Sequence, residues 1–285
     1  VKYLNSNDSL LTIHFFVSSH SYLQLFMLFQ IKSYIKFLWK SKNEHAVHSP
    51  FVFNLVTKCF YDKTKFSKYS ILKNYRNTLL ENKNTIKVTD FGAGSKVFKS
   101  NTREISKIAK TAGITLKRAE LLYRITNYFQ PDSILEIGTS LGLATSALAF
   151  GNPKAKITTL EGCPETAKIA KEQLGKFGLT NVNSVVTEFN SYLQICNLKP
   201  EICNLIYFDG NHSKSATLDY FELLLPTITN DSVWIFDDIH WSPNMEEAWK
   251  IIKSHPKVTV TIDTFQWGII FFRKEQHKEH FVIRV

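Results

Sequence analysis

The sequence predicts an α/β fold. Its core is a doubly wound, mostly parallel sheet of seven strands that ends in an antiparallel hairpin strand, preceded by a helical N-terminal extension. Three observations lead there. Beyond Pro131, short apolar runs alternate with helix-length amphipathic segments to the end of the chain. The last two runs are joined only by Thr264-Phe265-Gln266, a connection too short for a crossover, so one of them must run antiparallel. Before residue 115 the apolar spacing is helical rather than alternating. A chain of 285 residues with 44% hydrophobic and 21% charged residues is long enough for one large domain with an added segment. Its composition argues against a fibre or a disordered tail.

Charge divides the chain. Residues 1–114 carry 18 Lys and Arg against 6 Asp and Glu; residues 115–285 carry 17 against 19. The net charge of +10 therefore belongs to the N-terminal part, where the lysines are scattered as on a solvated surface. Four cysteines (Cys59, Cys163, Cys196, Cys203) form no CxxC pair and no zinc spacing, which fits free thiols in a reducing cytoplasm.

In chain order, residues 9–31 lack charge, but nine of the 23 are polar, too many for a comfortable membrane span. We read residues 1–26 as a non-native extension upstream of a start at Met27, or as an ill-ordered tail, with a membrane anchor as the alternative. No stable span is expected. Residues 27–114 are expected to form a helical cap region. From Met27 a helix should bury Phe29, Ile31, Tyr34, Ile35, Leu38 and Trp39, with Lys32, Lys36 and Lys40 opposite. Ser49-Pro50 marks the next helix start, and His45 and His48 before it are expected to be loop residues. Residues 62–88 should form a helix plus loop. Asp90-Phe91-Gly92-Ala93-Gly94-Ser95 has the look of a phosphate-binding turn, but no proper strand leads into it. Helices are expected at 101–112, capped by Asn101 or Thr102, and at 115–129, capped by Thr115, with Gly113 between them.

The third region, 115–285, carries the chemistry. Strands are expected near 133–137, 156–160, 183–187, 204–208, 232–236, 257–263 and 267–273. Helices should lie near 141–150, 164–177, 188–196, 214–225 and 244–254. The strongest motif is Ser133-Ile134-Leu135-Glu136-Ile137-Gly138-Thr139-Ser140-Leu141-Gly142, a strand that enters a glycine turn and then a helix N-terminus. A dinucleotide loop would read G-x-G-x-x-G; here the spacing is G-x-x-x-G, with Glu136 two residues ahead. A carboxylate there disfavours a pyrophosphate and suits a cationic, amino-bearing ligand, S-adenosylmethionine over NAD. Glu161-Gly162, at the end of the second strand, suits a ribose diol. Glu188, beyond the third strand, is a candidate for the adenine end.

E-x-G-x-S-x-G after a strand, an acidic end to the next strand and the terminal hairpin resemble the class I S-adenosylmethionine-dependent methyltransferases, with their Rossmann-like sheet. Ser140, in place of the usual second glycine, is similar to the catechol/caffeoyl-CoA and sugar O-methyltransferase branch. The resemblance covers about 115–273. It implies an enzyme that methylates a small-molecule or sugar hydroxyl, with Glu136, Gly138, Thr139, Ser140, Gly142, Glu161, Gly162, Glu188 and Asp209 around the cofactor. Tyr207-Phe208-Asp209-Gly210-Asn211-His212 and Phe236-Asp237-Asp238-Ile239-His240 end the fourth and fifth strands. Asp209, Asp237 and Asp238 would form an oxygen-rich site suited to Mg²⁺. His212 is the candidate general base, with Asp209 beside it, and His240 is the competitor. Two alternatives stand: an RNA methyltransferase using the basic N-terminal region, and an inactive cofactor-binding module. The acceptor and the oligomeric state are not legible.

Overall fold

The computed structural model describes residues 19–89, 100–198 and 203–285. Residues 1–18, most of the proposed extension, lie outside the described residues, as does the Asp90–Ser95 turn.

The chain begins with α1 (Ser19–Lys40), α2 (Pro50–Leu55), a π-turn at Val56–Phe60 and α3 (Lys68–Glu81). A small antiparallel pair follows, β1 (Thr85–Lys87) with β2 (Thr102–Glu104), and then α4 (Ile105–Thr111) and α5 (Leu116–Phe129). From there strands and helices alternate: β3 (Ser133–Ile137), α6 (Leu143–Gly151), β4 (Lys156–Glu161), α7 (Pro164–Lys176), β5 (Val182–Val186) and α8 (Phe189–Leu198). The second half adds β6 (Leu205–Phe208), α9 (Lys214–Leu224), β7 (Val233–Asp237), α10 (Pro243–Ser254), β8 (Val260–Asp263), β9 (Trp267–Phe271) and β10 (Glu279–Val282).

The main sheet has the order β10-β8-β9-β7-β6-β3-β4-β5, and only β9 runs antiparallel to its neighbours. It has eight strands, one more than predicted, because residues 279–282 pair in parallel with β8 at the edge. The order reverses between β4 and β6, on either side of β3, which is the crevice where open α/β sheets bind ligands.

Period-two alternation divides the core. Ile134, Leu205, Tyr207, Val233 and Ile235 face one apolar cluster, while Leu135, Ile137, Ile206, Phe208, Trp234 and Phe236 face the other. The first cluster runs from Val47 to Ile283, so the N-terminal segment shares the core of the sheet. Several helix starts follow their local chemistry. Ser49 accepts from the Val52 amide ahead of Pro50, Thr115 from Arg118, Ser213 from Ala216 and Ser242 from Met245.

Two N-terminal expectations need correction. The helix expected at 101–112 starts as β2, and neither Asn101 nor Thr102 caps it; the residue before α4 is Glu104, whose side chain makes no cap bond. Pairing with β1 (Ile86 opposite Arg103) overrides the local helix signal. Among the α1 residues whose side chains are described, Ser33 and Phe37 are buried, while Ile31, Tyr34, Ile35 and Trp39 of the expected apolar face are exposed, Trp39 at 89%. The helix is anchored by Phe37 and Tyr34 against Phe265, at ring separations of 5.5 and 4.9 Å, and by Phe26 against Trp241 at 4.9 Å. The turn between β8 and β9 therefore sets its rotation. Among the described residues, no helix is long and apolar enough to cross a membrane.

Candidate active site

The loop after β3 is built by backbone geometry. Gly138 (φ +101°), Ser140 (φ +49°) and Gly142 (φ +77°) are all left-handed, which turns the chain sharply off the strand and into α6. A Cβ at Gly142 would lie 2.6 Å from the Tyr75 hydroxyl, which donates to the Leu141 carbonyl at 3.0 Å. Through this contact α3 fastens the N-terminal segment to the loop.

Glu161, at the tip of β4, holds the loop from the other side. Its Oε2 accepts from the Ser140 amide at 2.8 Å and its Oε1 from the Cys163 amide at 3.0 Å. Glu161 faces a cleft of about 420 Å³ at the carboxyl edge of the sheet, within the size range of small-ligand sites. Gly138, Ser140, Gly162, Glu188 and Asp209 line the same cleft. Glu188 caps α8, and its hydrogen bonds with Ser191 hold its carboxyl below the usual carboxylate range.

Three of the predicted cofactor residues do not line the cleft. Gly142 sits beneath Tyr75, and the Thr139 hydroxyl pairs with that of Thr159. Glu136 is fully buried, and its Oε2 accepts from Thr145 and Thr159. The reason is the strand period: like Ile134, Glu136 lies on the face covered by α6, not at the edge. Its Oε1 is buried without a hydrogen-bond partner, and burial pushes its pKa up to about 8, against the opposing effect of the two hydroxyls. Glu136 thus lies off the cleft, hydrogen-bonded within the fold, and of the acids singled out in the sequence Glu161, Glu188 and Asp209 line it.

A raised pKa makes a stability prediction. Between the unfolded value near 4.5 and about 8 the folded state holds the extra proton, so Glu136 costs stability increasingly as pH rises through that window. Glu136→Gln should leave the melting temperature nearly unchanged at pH 4.5 and raise it at pH 8, by the equivalent of about 1–3 kcal/mol. An equal effect at both values would contradict the assignment.

Asp209, Asp237 and Asp238 do gather at one place. Burial, then the neighbouring charge of Asp237 and a hydrogen bond to it, raise the Asp209 carboxyl well above its ordinary range. Burial and Asp237 likewise push Asp238 up to about 6, while His212 opposes the shift. The three carboxylates are not a metal centre, however. The Asp237 Oδ1 is taken by the Arg118 guanidinium and by the Asp238 amide at 2.9 Å. No group of three or more His, Cys, Asp or Glu side chains among the described residues could hold a metal ion. The residues present do not fit the Mg²⁺ site that the resemblance implied.

Arg118 is the residue that sequence reasoning missed. It lies in the first turn of α5, 5.4 Å from the Trp267 ring, with its side chain 21% exposed. Burial alone would lower its pKa, but Asp237 and the surrounding acids raise it, so the guanidinium stays charged. A cation in the first turn opposes the helix dipole. That local conflict was the available signal.

The two histidines are placed differently. His212 Nε2 stands 3.6 Å from Asp209 Oδ1. His240 Nε2 pairs with Asp263 Oδ2 at 2.9 Å, and its ring stacks on Phe265. The His240 Nδ1 is buried with no hydrogen-bond partner. His240 lines a second cleft of about 460 Å³ together with Arg118, Asp238, Tyr34, Trp241 and Phe265. The acid cluster therefore joins two clefts, with Asp209 facing the first and Asp238 and Arg118 facing the second.

The N-terminal segment also reaches the first cleft. Val88 and Thr89 after β1, Arg103 of β2, and Ile108 and Ala112 at α4 form part of its wall. No periodicity in the sequence pointed to these residues. His48 lies elsewhere, near β10, and Ser49 bonds Gln276 at 3.1 Å, so this segment braces the C-terminal strand.

Comparison with known proteins agrees with this fold. Residues 135–239 match the family model described as "Methyltransferase domain". No curated protein matches the chain by sequence. Among solved structures, the chain is similar to the SAH-bound methyltransferase PaMTH1 of Podospora anserina (13% identity, 80% of this chain and 97% of that one, TM-score 0.56). It is also similar to an O-methyltransferase from Bacillus cereus in complex with SAH (16% identity, 75% and 94%, TM-score 0.52). A third is TomG from Streptomyces achromogenes, an O-methyltransferase involved in tomaymycin synthesis, in complex with SAM (17% identity, 57% and 82%, TM-score 0.50). Residues 135–239 thus match a methyltransferase-domain model, and the chain shares the α/β fold of these solved methyltransferases.

Proposed function

We propose that the protein transfers the methyl group of S-adenosylmethionine to a hydroxyl oxygen of a small molecule. The observation that carries this reading is the first cleft, which the Gly138–Ser140 turn, the Glu161 carboxylate and Asp209 line together. In that arrangement Glu161 would accept the ribose hydroxyls, Glu188 would lie toward the adenine, and Asp209 would lie toward the sulfonium. The second cleft, beyond Asp209, would admit the acceptor. Transfer is then mainly alignment of nucleophile and methyl group, with water kept out by the aromatic side chains of α1 and the β8–β9 turn. The O-methyltransferase neighbours support the choice of oxygen.

For the proton acceptor, the geometry favours His240 over His212. His240 borders the second cleft with its ring fixed by Asp263 and Phe265, and its Nδ1, buried in the free protein, would take the proton once acceptor binding opens a path to it. His212 instead faces Asp209 and serves the acid cluster.

The reading is tested by supplying labelled S-adenosylmethionine with a fractionated metabolite extract. Label should enter a small-molecule fraction; label entering RNA instead would overturn the choice of acceptor class. With the acceptor in hand, His240→Asn should lower kcat about 10²-fold or more with little change in cofactor affinity, whereas His212→Asn should cost far less. The reverse order would return the role to His212.

A further inference from the structure

The acid cluster contains a conflict that the methyl-transfer reading leaves open. Three carboxylates at the acceptor end of such a site normally call for a counter-cation. Here a counter-cation is already present in the chain.

We propose that the Arg118 guanidinium stands where a divalent metal ion would otherwise be held, so that the acceptor end of this site works without metal. The inference rests on the methyl-transfer reading for its meaning, but its test does not.

Four observations support it. Arg118 contacts the Asp237 Oδ1 directly, and the Asp238 amide shares that oxygen. A metal bound through that oxygen would have to displace both. The guanidinium is held against the Trp267 ring, and Trp267 is itself buried in the strand that pairs with β7. Arg118 is therefore placed by the sheet and by α5, not draped over the surface. Its Nε is buried without a hydrogen-bond partner, a cost that a purely structural ion pair would have no reason to carry. Finally, Arg118 lines the second cleft beside Asp238 and His240, where an acceptor hydroxyl would arrive.

A guanidinium differs from a metal in what it can do. It offers positive charge and directional N–H donors, and it cannot be removed by a chelator. It takes no second oxygen into a coordination shell. The site should therefore have no need of two vicinal hydroxyls on its acceptor. Arg118 acts through Asp237 and is a positioning residue.

The test is a Mn²⁺ titration of the EDTA-dialysed full chain, read by electron paramagnetic resonance, with S-adenosylmethionine calorimetry on the same samples. Wild type and Arg118→Lys should leave Mn²⁺ free. Arg118→Met, which removes the charge but keeps the length, should bind Mn²⁺ at least tenfold more tightly than wild type, and Asp237→Asn in that background should abolish the binding. Wild-type protein that binds Mn²⁺ and loses it in Asp237→Asn would overturn the inference. So would Arg118→Met that still binds S-adenosylmethionine and holds Mn²⁺ no better than wild type. Should Arg118→Met not fold, the wild-type and Arg118→Lys arms decide alone. Failure of S-adenosylmethionine to bind wild type would count against the functional reading and leave the Mn²⁺ result to be read separately.

Discussion

Glu161→Ala is expected to weaken S-adenosylmethionine binding by tenfold at least, and by about 100-fold if both oxygens act on the ligand. The range follows from about 1.5–3 kcal/mol for a hydrogen bond to a charged group. Two effects combine. The carboxylate lines the cleft where a ribose would lie, and it pins the glycine loop through the Ser140 and Cys163 amides. Glu161→Gln separates them. One amide oxygen can still accept from a backbone N–H, but the charge and the second acceptor are gone, so its affinity should fall between wild type and alanine. Calorimetry reads all three. An alanine variant that binds as tightly as wild type would place the ribose elsewhere.

Gly138→Ala should have the larger effect on the fold. A Cβ at this position would stand 2.5 Å from the Asp209 carbonyl oxygen and 2.9 Å from the Gly210 amide nitrogen. Both are backbone atoms at the tip of the neighbouring strand and cannot swing aside. The residue also sits at φ +101°, which L side chains avoid. Relief requires β3 and β6 to part at their carboxyl ends, where the cleft is formed. We expect a loss of about 2–4 kcal/mol in chemical denaturation, in line with backbone strain added to overpacking, together with loss of detectable cofactor binding. A variant that keeps both its stability and its affinity would show that the β3–β6 gap is not part of the binding site.

The sequence was informative where period and local chemistry agree. In the β/α alternation from β3 to β9, each apolar run has its own complement of capping residues and turns, and strand and helix positions follow. The glycine turn, Glu161 and Asp209 were legible because all three sit at strand ends, and strand ends share one edge of a parallel sheet. Glu136 lies away from the cleft for a reason present in the sequence. Two residues after Ile134, it must point to the same face, and that face is covered by α6. Its nearness to Gly138 along the chain does not bring it to the cleft, because the strand alternates.

Other features depend on contacts distant in sequence. Asp237 meets Arg118 only because α5 packs on the face that Ile235 and Val233 share, 119 residues away in the chain. The cation that stands against these aspartates is therefore not adjacent to them in sequence. The strand character of residues 102–104 comes from a partner at 85–87, and β10 forms because the edge of β8 is open to it. In α1 the rotation is set by Phe265 across the sheet edge, which leaves Ile31, Ile35 and Trp39 outward against the helix's own amphipathic pattern. In each case tertiary pairing outweighs a local preference worth only a fraction of a kcal/mol per residue.

The central claim is that the cleft between the tips of β3 and β4 is an adenosyl site. Calorimetric titration of the purified protein with S-adenosylmethionine, S-adenosylhomocysteine and NAD tests it most directly. The account predicts saturable binding of the first two with one ligand per chain, competition between them, and no heat from NAD. Saturable NAD binding, or no binding of either adenosyl compound by folded protein, would contradict it.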